Sequence, residues 1–109
     1  MQPLSSTQEF DAVLREPTAV VFKHSTRCPI SAAAMEQMRQ LDGRHGDAPI
    51  YVVDVNDRRD VSDYIAECLA TPHDSPQAFV LAHGAPVWRA SHYSIRADDV
   101  AQALEGGGR

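Results

Sequence analysis

The fold is decided by residues 18–31, which read Thr18-Ala19-Val20-Val21-Phe22-Lys23-His24-Ser25-Thr26-Arg27-Cys28-Pro29-Ile30-Ser31. The first part is β-branched and almost unbroken in apolar character, which is typical of a strand covered on both faces. The second part predicts a helix start, because proline suits the first helical position. Cys28 therefore lies at a strand-to-helix junction, where the helix dipole and unpaired backbone N–H groups favour thiolate over thiol. The sequence predicts a reactive thiol at Cys28.

Four neighbours of Cys28 are candidates for supporting this thiol. Arg27 places a cation beside the sulfur, and Pro29 begins the helix. Ser31 stands where a Cys-X-X-Cys protein carries its second thiol, and its hydroxyl is predicted to donate to the thiolate. His24 is a candidate for tuning or protonating the sulfur, and the alternative is a solvated loop histidine.

The second cysteine, Cys68, is predicted to pack in the core rather than to take part in redox chemistry. It shares an apolar helical stripe with Val61, Tyr64, Ile65 and Leu69. Free cysteine is among the most buried residue types, so a structural role is also the alternative for Cys28. A junction beside a proline suits that alternative poorly. Two cysteines are too few for a disulfide framework.

Length and composition limit the class of protein. The 109 residues fit one domain, so residues 1–109 are predicted to form a single unit in which 1–5 and 106–109 are flexible. The formal net charge of −5 argues against a nucleic-acid partner. No apolar stretch approaches the roughly 18–20 residues of a membrane helix, and no signal-peptide pattern precedes the domain. A cytoplasmic monomer is expected.

Hydrophobic periodicity and turn residues predict the element order α-β-α-β-α-β-β-α. The predicted elements are a helix over 6–16, a strand over 18–23, a helix over 29–41, a strand over 50–55, a helix beginning near 60, a hairpin of strands 77–83 and 85–90, and a helix over 97–104. Two βα units followed by a hairpin and a helix predict an α/β fold with a four-stranded mixed sheet flanked by helices.

These features resemble the thioredoxin-like superfamily and, within it, the monothiol bacilliredoxins of the YtxJ type. One segment that carries the resemblance is 22–31, which is similar to the family's active-site segment with its usual Thr-Cys-Pro-Ile-Ser. The other is His73-Asp74-Ser75-Pro76-Gln77, ahead of the hairpin. Arg27 replaces the usual threonine before the cysteine. The resemblance covers about residues 6–104.

The resemblance implies a thioredoxin-like fold in which Pro76 is cis and faces the reactive cysteine. It also implies that Ser75 offers its backbone to an extended thiol substrate, as an added strand would be bound. His73 and His92 are candidates for flanking the site, and Trp88 is predicted to pack in the hairpin. A zinc site made of Cys28, His24 and His73 lacks a close ligand pair, so no metal is predicted.

A single thiol can exchange with an existing mixed disulfide but cannot resolve its own adduct. The resemblance names bacillithiol as co-substrate, with no other cofactor. It implies a monothiol thiol–disulfide oxidoreductase that removes bacillithiol from proteins by attack of Cys28. Its partners would be bacillithiolated proteins and free bacillithiol. Two alternatives stay open: a redox-sensing or binding module without turnover, and an interaction domain whose thiol is incidental.

Overall fold

The apolar run at 18–22, with Lys23 and His24 after it, forms the central strand of a sheet. The computed structural model describes residues 1–44 and 48–107. Its strands are β1 (Gln2–Pro3), β2 (Thr18–His24), β3 (Ile50–Asp54), β4 (Gln77–Ala82) and β5 (Ala85–Ser91). Their spatial order is β1-β3-β2-β4-β5. The first three strands in that order are parallel to one another, β4 is antiparallel to β2, and β5 is antiparallel to β4, so the sheet is mixed as predicted.

Helices cover both faces of this sheet. They are α1 (Thr7–Val13), α2 (Pro29–Arg44), α3 (Arg59–Cys68) and α4 (Ala97–Gly107), and a short 3₁₀ turn (His92–Ser94) precedes α4. Successive residues of a strand point to opposite faces. Phe22 of β2 therefore packs under α2 and α4, while Val21 packs under α1 and α3. Among the described residues, no helix is long and apolar enough to cross a membrane.

The N-terminal segment differs from its prediction. Gln2 and Pro3 pair in parallel with β3, and the N–H of Leu4 donates to the Val52 carbonyl at 2.8 Å. Leu4 itself is buried. Residues assigned to a flexible segment 1–5 thus supply an additional strand, and the predicted four strands are corrected to five. A strand of two residues is too short to show the alternation on which such predictions rest.

Helix ends also differ from the predicted bounds. The last helix was predicted to end at Leu104, but α4 continues through Gly107, while Gly108 and Arg109 lie outside the described residues. A helical glycine costs only about 1 kcal/mol relative to alanine, which is too little to fix where a helix ends. At the other end of the chain, α1 stops at Val13.

Cys68 is exposed, so the prediction that it packs in the core is wrong. Val61 and Ile65 of the same stripe are fully buried. Cys68, however, is the last residue of α3, and Leu69 immediately after it turns inward and is only 5% exposed. Cys68 is exposed because α3 ends there, and hydrophobic periodicity does not predict where a helix ends.

Candidate active site

The candidate site lies at the edge of the sheet where β2 ends and β4 begins. Lys23 of β2 pairs with Gln77 of β4, and the two strands are antiparallel. The loop after β2, which carries Cys28, therefore leaves the sheet beside the loop before β4, which carries Pro76. The topology thus brings together two segments that are far apart in sequence.

Cys28 immediately precedes Pro29, the first residue of α2, as predicted. It is a free and partly exposed thiol. Its carbonyl accepts from the N–H of Ala32 at 3.1 Å, and its own N–H donates to the Ser25 carbonyl at 3.3 Å. The N–H groups of the first helical turn lack partners within the helix, and the helix dipole favours negative charge beside them. The backbone therefore places the sulfur at the N-terminal end of α2, beside N–H groups that have no partner within the helix.

Ser31 ties the end of β2 to α2. It is fully buried, its Oγ accepts from the N–H of Ser25 at 2.9 Å, and the same oxygen lies 2.7 Å from Nδ1 of His24. Within the described residues, no hydrogen bond joins Ser31 to the sulfur of Cys28. The predicted donation to the thiolate is therefore not found, because this hydroxyl is engaged by the preceding loop.

His24 is half-buried and belongs to the same support. Its ring lies against Phe22 with a centroid distance of 5.5 Å, and its Nδ1 contacts Ser31. Burial lowers the pKa of His24, although the Asp54 carboxylate opposes this change. The imidazole is therefore neutral at neutral pH and does not fit the alternative of a solvated loop residue.

We expect Ser31→Ala to lower the free energy of unfolding by about 1–3 kcal/mol, because the partly buried N–H of Ser25 and the half-buried imidazole of His24 lose their partner. Urea denaturation measures the effect. The matched control is Ser94→Ala, at an exposed serine, which we expect to stay within about 0.5 kcal/mol of the parent protein. Equal losses in the two variants would contradict a supporting role for Ser31.

The loop before β4 is held by its own polar groups. The Ser75–Pro76 peptide bond is cis, as the resemblance implied. The Asp74 carboxylate accepts from the N–H of Ser75 at 2.9 Å and lies 3.3 Å from Nε2 of His92. The N–H of His92 donates to the Pro76 carbonyl at 3.0 Å, so His92 flanks the loop as predicted.

Behind this loop lies a polar cluster that was not predicted from the sequence. Lys23 is fully buried, with Nζ 3.2 Å from Nδ1 of His73, and Oγ of Ser62 lies 3.0 Å from the same nitrogen. Burial lowers the pKa of Lys23 to about 8, although Asp63 and Asp74 oppose this change. Alternation along β2 would have revealed the cluster, because it places Lys23 on the same covered face as Val21.

The predicted histidines do not converge on one metal site. His24 and Lys23 are successive residues of β2 and point to opposite faces of the sheet, and His73 contacts Lys23. Within residues 1–44 and 48–107, no group of three or more histidine, cysteine or acidic side chains is arranged to hold a metal ion.

Cys68 lies at the far end of α3 from this edge of the sheet. Asn56, just before α3, donates to Oγ of Ser25 at 3.1 Å, so the helix begins beside the Cys28 loop. Its 10 residues rise about 15 Å before Cys68 is reached. A disulfide needs Cα atoms within about 7 Å, so Cys28 and Cys68 cannot pair without a large movement.

Comparison with known proteins agrees with this geometry. The family model described as monothiol bacilliredoxin BrxC matches residues 2–100. A solved structure of a proposed oxidoreductase with a thioredoxin fold has a TM-score of 0.88 and 39% identity, and the match covers 94% of this chain and 91% of that one.

Two thioredoxins show the same architecture at much lower identity. Thioredoxin of Fasciola hepatica has a TM-score of 0.77 and 14% identity, over 98% of this chain and 99% of its own. Oxidised mitochondrial thioredoxin 3 of Saccharomyces cerevisiae has a TM-score of 0.77 and 15% identity, over 97% and 94%. These two comparisons support the fold alone. The family match and the more similar structure together show that the chain belongs to the monothiol bacilliredoxins and is a thiol–disulfide oxidoreductase of thioredoxin-like fold.

Proposed function

We propose that this protein removes bacillithiol from protein mixed disulfides, with Cys28 as its single catalytic thiol. The observation that carries the proposal is the isolation of Cys28. Its sulfur is partly exposed at the start of α2, the position of a second active-site thiol holds the buried Ser31, and Cys68 lies at the other end of α3. Such a thiol needs a resolving partner from solution.

The reaction consists of two exchanges. The Cys28 thiolate attacks the bacillithiol sulfur of the mixed disulfide, a Cys28–bacillithiol disulfide forms, and the bond to the substrate protein breaks. The substrate protein leaves as a thiolate and takes a proton from water. The thiolate of a second, free bacillithiol then attacks the bacillithiol sulfur on Cys28, which releases the Cys28 thiolate and bacillithiol disulfide. In the net reaction one free bacillithiol is consumed and the disulfide passes from the substrate protein to bacillithiol disulfide.

Residues around the sulfur have distinct supporting roles in this proposal. Arg27 and the start of α2, including Pro29, favour the thiolate, while Ser31 and His24 fix the loop that carries it. The cis Pro76 loop forms the opposite wall, and the carbonyl of Ser75 receives the extended segment of the substrate protein. Bacillithiol is a co-substrate, and no further cofactor takes part.

Mass spectrometry of Cys28 tests the proposal. The enzyme is incubated with one carrier protein modified either by bacillithiol or by glutathione, and free bacillithiol is then added. We expect a bacillithiol adduct on Cys28 that the free thiol removes, with catalytic release of the carrier protein. Equal transfer of glutathione would overturn the assignment of bacillithiol and indicate a general monothiol activity. A stoichiometric adduct that free bacillithiol does not remove would instead support a sensing module.

A further inference from the structure

A pocket of about 350 Å³ lies beside Arg27, on the face of the sheet covered by α3. Arg27, the residue before Cys28, forms one side, and the start of α3 forms another. The polar side chains that line it are Arg27, Asn56, Arg59, Ser62, Asp63 and His73. The proposed reaction at Cys28 places no part of a substrate in this pocket.

Positive charge dominates the pocket, although the protein carries a formal net charge of −5. In the described part of the chain, neither Arg27 nor Arg59 forms an ion pair with a carboxylate. Asp63 is the one acidic side chain among the described lining residues. The buried ammonium group of Lys23 lies directly behind the ring of His73. The guanidinium groups of Arg27 and Arg59 thus line the same pocket, and neither is paired with a carboxylate among the described residues.

The contact with Lys23 also fixes which nitrogen of His73 carries the proton. An ammonium group has three donors and no acceptor, so Nδ1 of His73 must accept from Nζ of Lys23. The hydrogen of the neutral ring is then on Nε2. Burial and the charge of Lys23 lower the pKa of His73, which keeps the ring neutral. His73 is exposed and is one of the lining residues, and Lys23 and Ser62 both contact its Nδ1 rather than its Nε2.

We propose that this pocket binds a carboxylate of the small thiol carried by the mixed disulfide. Guanidinium groups recognise carboxylates through paired hydrogen bonds, and Arg27 and Arg59 supply two such groups. His73 adds its Nε2–H, and Lys23 is the positioning residue that orients it. Because Arg27 adjoins Cys28, a group held here belongs to the molecule whose sulfur Cys28 attacks. The inference rests on the proposed function and adds the basis of selection among small thiols.

The test uses bacillithiol with its carboxyl groups free or as methyl esters, attached to the same carrier protein. We expect kcat/KM for the free acid to exceed that for the ester by about tenfold or more, because charge-assisted hydrogen bonds are lost in the ester. Arg59→Gln should remove this preference by slowing the reaction of the free acid alone. The matched control is Arg58→Gln, which makes the same change of charge one residue away, at a different pocket lined by His24 and Met35. This control should keep the preference.

The possible outcomes separate this inference from the proposed function. Equal values of kcat/KM for acid and ester would contradict carboxylate binding in this pocket. An equal loss of the preference in the Arg58 and Arg59 variants would contradict it as well, because that result indicates a long-range effect of charge. If no small thiol reaches Cys28 from either substrate, the proposed function itself fails. Binding is then still measurable in Cys28→Ser, where nuclear magnetic resonance should detect S-methyl bacillithiol at Arg59 and show weaker binding of its ester. Equal binding of the two ligands would contradict the pocket independently of turnover.

Discussion

We expect Cys28→Ser to abolish the transfer of bacillithiol from a modified protein and Cys68→Ser to leave the rate of this transfer largely intact. A serine hydroxyl is not ionised at neutral pH and cannot attack the disulfide, so the first variant should fall to the rate of uncatalysed exchange. Cys68 is exposed at the end of α3 and lies too far from Cys28 to resolve its adduct. Release of the carrier protein in the presence of free bacillithiol, followed by mass spectrometry, measures both rates.

The pair of variants also tests whether the mechanism needs one thiol or two. Loss of turnover in Cys68→Ser would contradict the monothiol mechanism and indicate an internal relay. Because Cys68 is exposed, its replacement should change the free energy of unfolding by no more than about 0.5 kcal/mol. A denaturation curve for each variant therefore shows that any loss of rate is chemical rather than structural.

Lys23→Met should raise the free energy of unfolding at pH 7 by up to about 3 kcal/mol. Methionine has a similar length and carries no charge, so the cost of burying the ammonium group disappears. The pKa of Lys23 is about 8 in the folded protein, against an ordinary value of 10.5. Between these two pH values the unfolded chain binds more protons than the folded one, so the parent protein gains stability as the pH rises. The advantage of the variant should therefore shrink between about pH 8 and pH 10.

Denaturant titrations of both proteins from pH 7 to pH 10 measure this difference. A constant difference over that range would contradict the lowered pKa of Lys23. Lys23 is the sole lysine of the sequence, so selective nitrogen-15 labelling of lysine gives a single Nζ signal whose titration reports the group directly. We expect its midpoint at about pH 8.

Local patterns were sufficient to predict most of the fold. A few consecutive residues were enough to predict several elements: the strands at 18–22 and 50–53 and the hairpin around Gly84. The features that were missed depend on partners far away in sequence. The strand at Gln2–Pro3 exists because β3 is beside it, and the exposure of Cys68 follows from where α3 ends against the rest of the fold.

The same distinction applies to the candidate site. The positions of Cys28 and Pro29 followed from one short segment, and the cis bond before Pro76 followed from the resemblance. The partners of Ser31 were not predictable, because its hydroxyl bonds depend on how the end of β2 folds back onto α2. Lys23 and His73 lie 50 positions apart and meet only through the pairing of β2 with β4.

The short strand β1 has a further consequence for how the protein behaves at high concentration. Along a strand, successive N–H groups point to opposite edges. The N–H of Leu4 points to β3, so the nitrogen of Pro3 faces the open edge of the sheet. Proline has no N–H hydrogen to donate there. At the opposite edge of the sheet, β5 contains Pro86, which also lacks an N–H. A strand from another molecule would find an interrupted row of donors at either border. The strand that patterning overlooked thus helps to protect the sheet against growth by edge-to-edge aggregation.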